Sequence, residues 1–289
     1  MSEVWTILKV LDWTTGRFER LKIDSARLEA QILLSHVLGC PRVALYTSFD
    51  KPLQEAELTK YRGLIQRRLD GEPVAYLTGQ QEFWSLPFAV DKRVLIPRPD
   101  TETLVQAVLE LGDSVSETGD EVRIAEVATG SGAVSVAIAH ERKNWQLVAT
   151  DLSEDALQVA RSNAQRNECQ ERIEFRQGHL CVPLQEDKFS ILVSNLPYIS
   201  SADMKMLSPE VLSEPQMALW GGTTGLELIE ELVSVARTNL LGDGWVALEH
   251  GFDQGQAVRD IATSAGFVNV ETRSDLAGRA RVTSFQSAG

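Results

Sequence analysis

Asn195, Leu196, Pro197 and Tyr198 follow directly on the apolar run Phe189-Ser190-Ile191-Leu192-Val193-Ser194. An aliphatic and β-branched run stopped by a proline predicts a buried strand whose C-terminal end opens into a loop. Ligands of open α/β sheets sit at such ends. The tetrad has the parts of an amide-binding device. Asn195 offers a side-chain carbonyl, Leu196 a backbone carbonyl, and Tyr198 a flat face. Pro197 stiffens the turn and biases Leu196 towards the extended region, which helps aim its carbonyl. Two acceptors and a stacking plane suit a planar NH2 group, both of whose hydrogens must be held if its nitrogen is to be aimed.

A second constellation precedes it. Glu126-Val127-Ala128-Thr129-Gly130-Ser131-Gly132 joins a predicted strand to a predicted helix. The glycines let backbone approach a ligand closely, and the helix N-terminus supplies free N–H groups for a carboxylate or a phosphate. Asp151 ends the next predicted strand about 20 residues on, where a carboxylate can take both hydroxyls of a ribose. Nicotinamide-dependent dehydrogenases share this loop, so it leaves the class open. The tetrad decides, because hydride transfer has no use for a paired amide-acceptor clamp.

The elements that must hold these residues alternate from Val122 on. Predicted strands cover 122–127, 146–150, 173–176, 189–194, 245–248, 268–272 and 282–285. Predicted helices cover 133–139, 153–166, 225–240 and 254–264. This alternation implies an α/β fold with a mostly parallel sheet and right-handed crossovers, whose last two strands are joined too tightly for a crossover and pair antiparallel. Upstream, residues 4–69 read as helical. A helix over 25–39 carries an apolar face at 28, 32, 34 or 35 and 38, is capped by Asp24 or Ser25 and stops at Gly39; His36 lies on or near that face. Another over 54–69 exposes Lys60, Arg67 and Arg68. Strand-like pieces broken by Gly and Pro over 71–102 predict a hairpin linker. Pro99 then opens a helix to about Leu111, followed by a polar loop over 114–120.

Composition narrows the partner. The 289 residues suit two domains rather than one, and 43% hydrophobic with 24% charged residues is an ordinary globular balance. The net charge is −13; residues 1–85 carry eleven charges of each sign, so the whole acidic excess lies beyond them. That is a poor endowment for gripping phosphates and favours a protein over a nucleic acid as substrate. Cys40, Cys169 and Cys181 are too scattered for a disulfide framework or a metal site, and the four histidines show no ligand spacing, so no metal and a reduced cytoplasmic setting are expected. No basic start with an apolar core and no run of 18 apolar residues predicts export or a membrane span.

The Asn-x-Pro-Tyr tetrad resembles the signature of methyltransferases that modify exocyclic or amide nitrogens with S-adenosylmethionine. Nearly the whole chain resembles the release-factor glutamine N(5)-methyltransferase family. The matching text includes Leu33-Leu34-Ser35-His36-Val37-Leu38-Gly39, Gly71-Glu72-Pro73-Val74-Ala75-Tyr76-Leu77-Thr78-Gly79, Ile96-Pro97-Arg98-Pro99-Asp100-Thr101-Glu102 and Leu248-Glu249-His250-Gly251. The resemblance implies an N-terminal helical substrate-recognition domain (1–72), a β-hairpin linker (73–99) and a seven-stranded Rossmann-like S-adenosylmethionine-dependent methyltransferase domain (100–289). It implies methyl transfer to the glutamine of the Gly-Gly-Gln motif of bacterial peptide chain release factors, with Asn195, Leu196, Pro197 and Tyr198 catalytic. Ala128, Thr129, Gly130, Ser131, Gly132, Asp151, Leu180 and Asn195 are then the cofactor-binding set. The chain departs from the family in three places. Leu196 replaces a proline, Ala128 replaces the first loop glycine, and His179-Leu180 replaces an Asp-Trp pair near the adenine. Asn-Leu-Pro-Tyr also resembles the tetrad of ribosomal RNA dimethyladenosine enzymes, which makes an adenine N6-methyltransferase acting on RNA or DNA the first alternative. A catalytically silent cofactor-fold binding module is the second.

Overall fold

In the computed structural model, which describes residues 4–117, 119 and 121–288, the chain forms two compact units. One runs up to Gly79 and is joined by Ser208–Ser213; the other takes Gln80–Leu207 and the chain from Glu214 on.

The first unit is helical: α1 (Ile7–Arg20), α2 (Ala26–Leu38), α3 (Arg42–Thr47), α4 (Glu55–Leu69) and α5 (Val74–Thr78). Gly39 ends α2 in the left-handed conformation, as its position predicts, while Ser25 stands at the N-cap without a side-chain capping bond. The buried stripe of α2 matches the predicted face only at 34 and 35. It runs through Ala26, Ala30, Leu33 and Leu34, whereas Leu28 is 40% exposed and His36 lies out in solvent. The alanines outrank the leucine here because small side chains let neighbouring helices close in, and the Tyr61 hydroxyl of α4 donates to the Ala30 carbonyl at 2.9 Å. Lys60 and Arg67 are exposed as predicted; Arg68 is not. Its guanidinium is buried and donates to Glu29 at 2.7 Å and Glu210 at 2.8 Å, two acceptors far away in sequence. The predicted strand-like piece at 74–78 is α5, because Pro73 presets its entry and Gly79, with φ at +72°, closes it.

The second unit opens with a hairpin, β1 (Gln80–Phe83) and β2 (Leu86–Ala89), around Trp84 and Ser85, both at positive φ. A two-residue turn needs that conformation, and Glu102 and Glu141 hold it by accepting from the Trp84 backbone N–H at 2.9 Å and its indole N–H at 2.8 Å. α6 (Glu102–Glu117) outruns its predicted end at Leu111. Its Gly112 lies where a Cβ would stand 2.2 Å from the buried Trp145 ring, so the glycine serves packing rather than helix termination. Thr118 and Asp120 of the predicted polar loop lie outside the described residues.

Then follow β3 (Arg123–Val127), α7 (Ala133–Glu141), β4 (Gln146–Asp151), α8 (Glu154–Arg166), β5 (Ile173–Gln177), β6 (Phe189–Ser194), α9 (Glu227–Ala236), β7 (Leu240–Glu249), α10 (Gly255–Ser264), β8 (Val268–Ser274) and β9 (Ala280–Gln286). They form one seven-stranded sheet in the order β5-β4-β3-β6-β7-β9-β8. β9 is antiparallel to both its neighbours and the other pairings are parallel, as the short final connection predicts. β7 starts five residues before the predicted strand, and α9 starts two residues late because Gly225 sits at φ +83°. Register positions the site. Val127 pairs with Thr150 and Ser194, and Ser194 pairs with Leu248, so the chain leaves β3, β4, β6 and β7 along one edge.

Candidate active site

The tetrad leaves β6 at that edge. Every residue of β6 is buried, and the Ser194 hydroxyl donates to the Val127 carbonyl at 2.6 Å, tying the start of the turn to β3. The Leu196 side chain is 3% exposed and packs in the core with Val127, Leu180 and Leu248. Leucine can therefore stand where the resemblance expects proline as an apolar anchor, and it offers a backbone carbonyl at the same position. The Asn195 amide nitrogen donates to Thr101 Oγ1 at 3.2 Å, which leaves Oδ1 without a protein donor among the described residues. Behind the turn, Gln254 donates to the Tyr198 carbonyl at 3.1 Å, and the backbone of Ile199 exchanges bonds with Leu219 and Gly221.

The glycine loop faces this turn. Thr129 N–H donates to the Thr150 carbonyl at 2.9 Å, and Gly130 N–H donates to Asp151 at 2.8 Å, so β4 fixes the loop from the side. Asp151 also accepts from Ser153 N–H at 2.9 Å. With one bond on each oxygen, the carboxylate keeps acceptor capacity for hydroxyls. Burial raises its pKa and the backbone donors oppose that. Glu126 anchors the loop from below. It accepts from the Thr129 hydroxyl at 2.6 Å, from Ser135 N–H at 3.0 Å and from the Ser135 hydroxyl. Burial pushes its carboxyl up to about 7, against the pull of those donors. Its folded value lies above the ordinary one, so its contribution to stability is full below about pH 4.5 and is lost as the pH rises through about 7. Glu126→Gln is therefore expected to stabilise the protein at about pH 8, by at most about 3 kcal/mol, and to be neutral near pH 4. Calorimetric Tm at the two pH values checks this, and a pH-independent difference would contradict it.

Ala128 stands at φ +58°. A Cβ in the left-handed region costs roughly 1 kcal/mol, which glycine avoids at some cost in unfolded-state entropy. Ala128→Gly is expected to gain about 0.5 kcal/mol of stability, read from urea unfolding midpoints; a loss would show that the methyl group packs usefully.

Of the predicted site residues, Ala128, Thr129, Gly130, Ser131, Asp151, Leu180, Asn195, Leu196 and Pro197 line one cavity. Gly132 and Tyr198 do not. Gly132, at φ +80°, starts α7 where a Cβ would press on Ala160 at 3.1 Å, so its place is in helix packing. The Tyr198 hydroxyl instead donates to Glu249 at 3.4 Å. Leu180, at φ +44°, is held by its carbonyl, which accepts from the Thr150 hydroxyl at 3.3 Å. His179 pairs with Glu231 at 2.8 Å. Sequence reasoning missed the opposite wall, built from Arg93–Leu95, Pro97, Arg98, Pro215 and Met217. Glu214 binds that wall together by accepting from Ile96 N–H at 2.9 Å and from the Arg98 guanidinium. Its signal was the Ile-Pro-Arg-Pro-Asp-Thr-Glu string, read only as family text and a helix start. Asn163 was missed too. Fully buried, it exchanges two bonds with Ala89 of the hairpin and donates to the Ser131 carbonyl at 2.9 Å.

The donor set fits S-adenosylmethionine. Ala133 and Val134, in the first turn of α7, line the cavity with N–H groups that lack an intrahelical acceptor and suit a carboxylate. Asp151 suits the ribose, and Leu180 an apolar ring face. This sheet order, with a glycine loop after β3, an acidic end to β4 and an Asn-x-Pro-Tyr turn after β6, is that of an S-adenosylmethionine-dependent methyltransferase. A methyltransferase from Pyrococcus furiosus shares the fold, with a TM-score of 0.53 at 20% identity over 78% of this chain and 97% of its own. A Methyltransferase domain model matches residues 124–213, and a PrmC N-terminal domain model matches 9–79. The release factor glutamine methyltransferase of Geobacter sulfurreducens is 40% identical over 281 residues, 97% of this chain and 96% of that protein. Its namesake in Aliivibrio fischeri is 41% identical over 261 residues, 90% of each. The chain belongs to the release factor glutamine methyltransferase family.

Proposed function

We propose that this chain transfers a methyl group from S-adenosylmethionine to the side-chain amide nitrogen of the glutamine in the Gly-Gly-Gln motif of bacterial peptide chain release factors. The observation that carries the reading is that Asn195 and Leu196 line the same cavity as the glycine loop and Asp151, with the Asn195 oxygen free of protein donors among the described residues. The bound donor supplies an electrophilic sulfonium methyl. A primary amide nitrogen is a poor nucleophile, because its lone pair is delocalised, so the protein's task is orientation. Asn195 Oδ1 and the Leu196 carbonyl accept the two N–H bonds and turn the lone pair towards the methyl. As positive charge grows on nitrogen, both acceptors bind more strongly than in the ground state, which lowers the barrier. The methylated amide then sheds its proton readily to water, and no dedicated base is needed.

The helical unit serves in this reading as the release-factor recognition module, and a protein partner in the cytoplasm suits the net charge of −13 better than direct nucleic-acid binding does. Among the described residues no helix is long and apolar enough to cross a membrane. Incubation with methyl-labelled S-adenosylmethionine and either a release factor or ribosomal RNA, followed by mapping of the label, tests the reading. Label on the Gly-Gly-Gln glutamine is expected. Label on RNA adenine alone would overturn the substrate and install the adenine reading.

A further inference from the structure

A peptide segment that enters the cavity loses water from its main-chain carbonyls, and each carbonyl then needs a donor from the protein. The wall opposite the glycine loop is poor in donors. Pro97 and Pro215 have no N–H, and Leu95 and Met217 bring apolar side chains. Two guanidiniums stand on that wall. Arg93 is exposed and gripped by both oxygens of Asp91, at 2.9 and 2.7 Å. Arg98 is half-buried, and its guanidinium has a single protein partner among the described residues, the carboxylate of Glu214.

That partner fixes the guanidinium without consuming it. Glu214 is buried and also accepts from Ile96 N–H at 2.9 Å, two residues before Arg98, so its carboxylate is held from two sides. A guanidinium carries five N–H groups in a rigid planar fork, and one bond to Glu214 leaves four. Two further hydrogen bonds link Arg98 to the tetrad. Thr101 N–H donates to the Arg98 carbonyl at 3.1 Å, across the turn Pro99–Thr101, and the Thr101 hydroxyl accepts from the Asn195 amide nitrogen at 3.2 Å. Arg98 is therefore tied to the proposed amide acceptor, whereas α7 and Asp151 serve the cofactor in that reading.

We propose that Arg98, fixed by Glu214, binds the substrate by donating to a main-chain carbonyl of the segment that carries the target glutamine. The inference rests on the amide-methylating reading and adds to it the group that holds the main chain. A glycine pair before the glutamine suits such a contact, because glycines bring no Cβ to keep a planar donor fork away from their carbonyls. With the main chain anchored next to the glutamine, its side chain has fewer ways to miss the tetrad, and the amide arrives already aimed. A lysine could not do the same: its compact ammonium would be spent on Glu214, and it has no planar fork to share between two acceptors.

The test uses the full chain and a full-length release factor. Arg98→Met combined with Glu214→Gln removes both charges of the pair together, so no unpaired buried carboxylate threatens the fold, and the new amide oxygen can still accept from Ile96 N–H. This double variant is expected to lower kcat/KM for the release factor roughly 10- to 100-fold, the effect of losing one charge-assisted hydrogen bond. Most of the loss should appear in KM, because the bond is made in the bound substrate and the transition state alike. Arg98→Lys should lose nearly as much. The Kd for S-adenosylmethionine, measured by calorimetry, should stay within about twofold in both. In Arg98→Ala, added guanidinium ion should recover part of the rate and ammonium ion should not, a rescue that a mere brace of the wall would not show. Wild-type kcat/KM in the folded double variant would overturn the proposal. So would a loss confined to kcat, which marks a displaced wall, or weakened S-adenosylmethionine binding with an unchanged release-factor KM, which assigns Arg98 to the cofactor. If the wild type leaves the Gly-Gly-Gln glutamine unlabelled, the functional reading has failed and this inference falls with it; an unchanged KM beside a wild type that labels the glutamine overturns this inference alone.

Discussion

Asn195→Ala is expected to lower kcat roughly 10²- to 10³-fold, the loss that follows removal of one preorganised polar group aimed at developing charge. The turn itself should survive. Its strand is buried along its whole length, Leu196 is anchored in the core, and Gln254 holds the Tyr198 carbonyl, none of which involves the Asn195 side chain. The loss should therefore fall on the chemical step and far less on cofactor affinity, which in the proposed reading depends on the loop between β3 and α7 and on Asp151. Single-turnover transfer of labelled methyl to a release factor measures the first, and calorimetric titration with S-adenosylmethionine measures the second. Near-wild-type turnover in this variant would remove Asn195 from the mechanism, and with it the reason for reading the tetrad as a clamp.

What was legible in the sequence was what the backbone period and the loop chemistry carry. Phe189–Ser194 is a strand buried on both faces, so its run of apolar residues announced both its limits and the turn after it. The glycine loop and Asp151 were legible because residues that end neighbouring parallel strands must meet at one edge. Long-range side-chain pairings were not. Arg68 carries a charge on a helix that otherwise exposes its basic residues, and only Glu29 and Glu210 explain why it is inside. Glu214 joins Ile96 and Arg98 across 118 and 116 positions, and Asn163 reaches Ala89 across 74, so no local pattern could mark either. The misread stretch 74–78 has a different cause. Five apolar and threonine residues suit a strand by composition, and the capping pair Pro73 and Gly79 outweighs that preference.

Gly221→Ala is expected to lower kcat about 100-fold while leaving the Asn195 and Leu196 side chains unaltered. Gly221 has an ordinary backbone conformation, so the substitution carries no torsional strain; its effect is collision. A Cβ there would stand 2.4 Å from the Pro197 carbonyl oxygen, 2.7 Å from Tyr198 Cα and 2.9 Å from the Pro197 carbonyl carbon. All three are backbone atoms, and no flexible side chain can swing aside to make room. Relief to ordinary contact requires the 197–198 backbone to move by about 1 Å, and a displacement of that size at a reacting centre costs on the order of 100-fold in rate. The backbone bonds from Ile199 N–H to Leu219 and from Gly221 N–H to Ile199, 3.0 and 2.9 Å, couple the two segments, so the shift is passed to the turn rather than absorbed elsewhere. Some stability is lost as well, about 1–3 kcal/mol for overpacking of this kind. Normalising kcat to the folded fraction separates the two effects. S-adenosylmethionine affinity should remain near wild type, because Gly221 does not line the cavity. Unchanged kcat in folded Gly221→Ala would mean that the position of the Pro197 and Tyr198 backbone does not set the rate.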